Sequence, residues 1–182
     1  LLTLCIALPT FAGKVLHYQD LNSQQIVALN PADVVVILEG GILEEHGPYL
    51  PSGTDNLMNA YLTPKLARAI VEKTGRDVLL LPPLILGTDA ASRIGERFPF
   101  PGSLTVRPDT LRQVYMDYGD ALGEAGYKHI FLVNIHGAPR QNKVLDQASD
   151  YFNHSWGGQM VHLYGLNAVQ DRWQAVRAVM SE

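Results

Sequence analysis

The sequence predicts an α/β fold, a three-layer α/β/α sandwich built on a mostly parallel sheet, and three observations predict it. Short runs such as 33–39, "DVVVILE", are apolar on both faces, as a strand covered on both sides must be. The segments between these runs carry apolar residues at helical spacing. The two kinds alternate along the chain, the pattern of parallel strands joined by helical crossovers.

Taken in order, 33–39 is the first strand. Residues 56–74 read as a helix with Leu57, Ala60, Tyr61, Leu66, Ala69 and Ile70 on one side. Pro64 falls in its middle, so Thr63 could instead cap a second helix starting there. The run 77–86, "DVLLLPPLIL", is a second strand stopped by Pro82-Pro83, and 87–108 is a long loop or a short hairpin around "SLTV". Asp109 is a candidate N-cap for a helix carrying Leu111, Val114, Tyr115, Tyr118 and Leu122, ending near Gly126. A strand at 129–134, a helix at 140–153, a strand at 159–164 and an amphipathic helical tail at 168–180 complete the pattern.

With 182 residues and 47% hydrophobic content, one domain is expected. A net charge of -4, with no long Lys/Arg run, gives neither a nucleic acid nor an anionic membrane surface an electrostatic partner. Residues 1–12 resemble the apolar core and cleavage region of a secretory signal peptide without its basic start, and are too short to span a bilayer. The expectation is therefore a remnant leader followed by a single domain over 13–182, secreted or periplasmic. The one cysteine, Cys5, lies inside that leader, so the mature chain would work with oxygen and nitrogen ligands alone.

Ligands in such sheets bind beyond the carboxyl ends of the strands. Glu44 and His46 follow the first strand, and in extended backbone project to one side, with Glu45 opposite. Asp55 ends a turn-rich loop just before a helix, and His136 follows the strand 129–134. On this topology the four meet at one edge of the sheet. Carboxylate oxygen with imidazole nitrogen suits Zn²⁺, Mn²⁺, Fe²⁺ or Co²⁺. An Asp binding through both oxygens would allow two ions about 3.5–4 Å apart. The spacings alone leave a plain surface loop and a hydrogen-bonded structural histidine open as readings.

The stretch "GGILEEHGPYLPSGTDN" is similar to the motif of the creatininase (creatinine amidohydrolase) family, Gly-Ser-x-Glu-Gln-His-Gly-Pro-His-Leu-Pro-x-x-Thr-Asp. Glu44, His46, Gly47, Pro48, Leu50, Pro51, Thr54 and Asp55 fall in register. A second motif, Asn-Gly-His-Gly-Gly-Asn, is matched by Asn134, His136 and Gly137, and a third, Phe-Pro-Gly-Thr-Leu, resembles "FPGSL" at Phe100–Leu104. The resemblance runs from about residue 20 to 165.

It implies a creatininase-like three-layer fold, a homo-oligomer (a hexamer), and hydrolysis of a C–N bond in a small amide or cyclic amide at a divalent, commonly dinuclear, centre. Glu44, His46, Asp55 and His136 become metal ligands with Asp55 as the bridge. Thr54 and Asn134 are expected to orient those ligands, and Tyr49 and Ser103 to line the substrate pocket. Departures matter too: Glu45 replaces the family's Gln, Tyr49 its next His, and Ala138 stands where creatininase has a metal-reaching Glu. Many relatives instead use a His-Ala-Gly…Glu-Thr segment, which is not found before Glu182. The domain is thus expected to be truncated at its C-terminus, with the acid/base group in the missing part. A non-catalytic relative acting as a binding or assembly protein is the alternative expectation. Arg93, Glu96 and Arg97 read as a solvated or subunit-contact face, and His129, His154, His162, Trp156 and Trp173 as structural.

Overall fold

A computed structural model describes residues 13–90 and 101–165. The leader with Cys5, the loop holding Arg93, Glu96, Arg97 and Phe100, and the tail with Trp173 lie outside the described residues.

The strands are β1 (Val15–His17), β2 (Val35–Glu39), β3 (Val78–Leu80), β4 (His129–Asn134) and β5 (Gln159–Tyr164). The helices are α1 (Ser23–Val27), α2 (Thr54–Thr74), α3 (Pro108–Glu124) and α4 (Pro139–Trp156). All strand pairings are parallel, in the order β1-β3-β2-β4-β5. The period-two pleat sorts side chains to two cores. Val36, Leu38, Leu79, Ile130 and Leu132 face α3 and α4, packing on Leu111, Tyr115, Val144, Leu145 and Phe152. Val35, Ile37, Val78 and Leu80 face the other way, onto Ala67, Leu66 and Ile70 of α2. That is the three-layer sandwich, with β2 and β4 at its centre.

Several local expectations are corrected. Pro64 does not split its helix: α2 runs unbroken through it. Its inner face in the first half is also polar, with Asp55, Asn59 and Thr63 buried while Leu57, Ala60 and Tyr61 point outward. The reason is local chemistry, since Asn59 Nδ2 donates to the Gly40 carbonyl at 2.6 Å at the end of β2. Asp109 is not the N-cap of α3. Arg107 holds that place, Pro108 opens the helix with its fixed φ, and Asp109 sits in the first turn paired with Arg112 at 3.1 Å. The pairing of β3 stops at Leu80, short of the prolines, though Leu84 rejoins by donating to Glu39 O at 2.8 Å. In the loop that follows, Leu104 forms an antiparallel bridge to Leu43.

Candidate metal centre

The chain leaving β2 is tied down residue by residue. Asn56 clamps Ile42, accepting its N–H at 3.0 Å and donating to its carbonyl at 2.8 Å. A methyl on Gly41 would lie 1.9 Å from Asn56 Oδ1, so a glycine is needed there to admit the clamp. Glu44 N–H donates to Ser52 O and Glu45 N–H to Ser103 Oγ, both at 2.9 Å. Gly47, at φ 75°, turns the loop and donates its N–H to Glu45 Oε2. Glu44 and His46 are thereby delivered to the carboxyl edge of the sheet. Asp55 arrives there from the first turn of α2, where the positive end of the helix dipole favours a carboxylate. His136 arrives just past β4, the neighbour of β2.

The four groups converge. Asp55 Oδ1 lies 3.3 Å from His46 Nε2, and Asp55 Oδ2 lies 3.1 Å from His136 Nδ1. Glu44 Oε2 is 3.0 Å from the same His136 nitrogen. Ligand atoms of Glu44, His46 and Asp55 all fall within 4.8 Å of one another, a group able to hold a metal ion. Glu44, Asp55 and His136 are buried, and His46 is half-buried.

The hydrogen bonds behind the histidines test whether a cation fits. His46 Nδ1 is 3.0 Å from Glu44 O, and His136 Nε2 is 3.1 Å from Thr88 O. Carbonyls only accept, so each of these ring nitrogens must carry the proton. In a neutral ring the other nitrogen is then a bare lone pair, yet in both cases it faces carboxylate oxygen. Two lone pairs and two carboxylates pointing at each other form a set that a positive charge must reconcile, and a divalent cation matches it in charge and donor chemistry. Without a cation a proton takes that part. Burial pulls the His136 pKa down, but the Asp55 hydrogen bond, the charges of Glu44 and Asp55, and the Thr88 carbonyl together raise it above the usual 6.5.

A cavity of about 990 Å³ opens over these groups, walled by Leu50, Met58, Thr105, Arg107 and Arg140 among others. Thr54 lines it and donates its hydroxyl to Pro51 O at 2.6 Å. Asn134 is fully buried, donating to His136 O at 2.8 Å. Tyr49 is 93% exposed, and Ser103 Oγ accepts the Glu45 N–H; neither is among the residues lining the cavity. Sequence reasoning missed Thr88, which acts through its backbone and so leaves no side-chain signal. It also missed Gln141, whose signal was a polar residue on the mostly apolar stripe of α4. Tyr164 was missed as well; burial and the nearby Asp55 charge raise its pKa.

The family model for creatinine amidohydrolase matches residues 19–181. The chain belongs to the creatininase family. A curated relative, the mycofactocin precursor peptide peptidase of Mycolicibacterium smegmatis, is 30% identical over 120 residues, covering 64% of this chain and 43% of that protein. A crystal structure of creatinine amidohydrolase superposes with a TM-score of 0.68 at 21% identity, covering 86% of this chain and 60% of that one. A manganese form of creatininase gives 0.68 at 22% identity, covering 86% and 61%. A putative creatinine amidohydrolase from Bacteroides fragilis gives 0.65 at 15%, covering 86% and 58%. At those identities the structures show a shared fold, and the chain spans well under two thirds of each relative's length.

Proposed function

We propose that this protein is a metal-dependent hydrolase that cleaves the C–N bond of a small amide, cyclic or linear, at a centre held by Glu44, His46, Asp55 and His136. The observation that carries the reading is the grouping of Glu44, His46 and Asp55 within reach of one ion, with His136 against both carboxylates, beneath an open cavity. Asp55 turns one oxygen to each histidine, so its carboxylate would help hold one ion or two. When bound, such ions supply Lewis acidity toward a carbonyl and acidify water. The chain's own part is to hold them: Glu44 and Asp55 provide the charge, while the Glu44 and Thr88 carbonyls fix the two ring orientations. Arg107 on the cavity wall adds positive charge where a polar substrate would enter, while Arg140 there is paired with Asp89 at 3.5 Å. Zinc and manganese are the favoured ions, since related creatininase structures are described as Mn and Zn-Zn forms.

A homo-oligomer is part of the proposal. Tyr49, Leu50, Leu57, Met58, Tyr61 and Leu62 expose an apolar surface beside the cavity, of a kind that marks protein contacts. A secreted or periplasmic location rests on the leader-like start of the sequence alone.

Metal analysis of the purified protein, paired with hydrolysis assays on lactams, formamides and short peptides, tests the reading. Short peptides belong in the panel because one relative is a precursor-peptide peptidase. The expected result is one to two ions per subunit with turnover, both lost in His46→Ala and His136→Ala. Unchanged turnover in His136→Ala, or turnover without metal, would overturn it.

A further inference from the structure

Gln141 stands out because it is completely buried, lies outside the four candidate ligands, and uses both ends of its amide. Its Oε1 accepts the Thr88 N–H at 2.8 Å, and its Nε2 donates to Asn134 Oδ1 at 3.0 Å. Each contact leads to His136 by a separate route. Thr88 returns its carbonyl to the imidazole Nε2 at 3.1 Å. Asn134 returns its amide to the His136 carbonyl at 2.8 Å, with a second bond to Asn142 Oδ1 at 3.2 Å. One side chain therefore grips the ligand histidine by its ring and by its backbone. Both amide orientations follow from chemistry: the Thr88 N–H can only donate and the His136 carbonyl can only accept.

The packing around this amide leaves no slack. A methyl on Gly87 would lie 2.5 Å from Ile42 Cβ and 2.7 Å from Gln141 Oε1, so residues 87 and 88 press directly on the glutamine. The segments joined are the end of β4 with the first turn of α4, seven residues apart, and the loop after β3, 53 residues from Gln141.

We propose that Gln141 is a positioning residue that sets the tautomer and aim of His136, so that Nδ1 is the nitrogen offered to the cation. The inference rests on the metal-centre reading above and adds to it which atom ligates and what holds it. A neutral imidazole has one N–H, and the Gln141–Thr88 link keeps a carbonyl in front of Nε2, leaving the Nδ1 lone pair toward Glu44 and Asp55. Losing an outer partner of this kind typically weakens metal affinity about 10–100-fold.

The test uses Zn²⁺ as the probe, in chelator competition on the wild type, Gln141→Leu and Leu145→Ala. Leu145 is equally buried on α4 and has no link to His136, so its variant reports general destabilisation. Gln141→Leu is expected to bind Zn²⁺ about 10–100-fold more weakly, while Leu145→Ala, though less stable to heat, keeps wild-type affinity. Wild-type affinity in Gln141→Leu, or an equal loss in Leu145→Ala, would overturn the proposal. Should Gln141→Leu fail to fold, long-range proton–nitrogen NMR of the zinc-loaded wild type decides: the His136 proton on Nε2 supports the assignment and on Nδ1 refutes it. A wild type that binds no Zn²⁺ removes the metal centre and this inference together, whereas binding indifferent to Gln141 removes the inference alone.

Discussion

Histidines 46 and 136 hold opposite ring nitrogens against backbone carbonyls, and each offers the remaining one to the same aspartate. The meeting of these candidate ligand side chains was legible in the sequence, because Glu44, His46, Asp55 and His136 stand in motif register. What holds them was not, since backbone atoms such as the Thr88 carbonyl carry no side-chain signal. Asn56 belongs to this hidden support. Asn56→Ala leaves the N–H and carbonyl of buried Ile42 unpaired, a loss of about 1–3 kcal/mol that the urea midpoint will report. Glu39, at the end of β2, shows the opposite balance. Burial raises its pKa above the usual 4.5. A carboxyl raised on folding favours the native state below its unfolded value and loses that advantage as pH climbs through the folded one. Glu39→Gln should therefore flatten the stability profile above pH 4.5 and be more stable than wild type at neutral pH, measured by denaturant melts across that window. A variant less stable at neutral pH would contradict this.

Among the elements, α2 is where the sequence misled most. In its first half the apolar residues predicted an inward face that the structure turns outward, because Asn59 bonds the Gly40 carbonyl at the end of β2 and Asp55 meets the two histidines. Leu66 and Ile70 of the same predicted face do pack on the sheet. Polar contacts at the helix start outweigh the usual hydrophobic stripe. The long strands β4 and β5 were read to the residue, since each is bounded by glycine-containing turns. The three-residue β1 and five-residue α1 passed unnoticed, being too short to show a period. Pro64 within α2 forfeits a backbone hydrogen bond to Ala60, a penalty near 3 kcal/mol in a helix interior. Proline also restricts the unfolded chain, which returns about 0.4–1 kcal/mol. Pro64→Ala should thus raise stability by about 2 kcal/mol; a lower urea midpoint would instead assign the ring a packing role.

At the scale of the molecule, the sheet order was not readable from the chain, because pairing depends on contacts such as Val15 with Val78 that no local pattern encodes. The alternation of strands and helices did suffice for the three layers. The outward apolar face of α2, with Leu57 61% and Tyr61 66% exposed, makes a prediction about assembly. A Leu57→Asp, Tyr61→Asp double variant should sediment as a smaller species than wild type while retaining its metal. Equal sedimentation of the two would show that this face is not the contact. The pairing of Asp55 with His136 spans 81 residues of chain. An ion seated between them would act as a staple across that long loop, present only in the native state and therefore tightening it by mass action. Stripping the ion with a chelator should lower the melting temperature and speed proteolysis, so the availability of metal would govern the protein's lifetime as well as its chemistry.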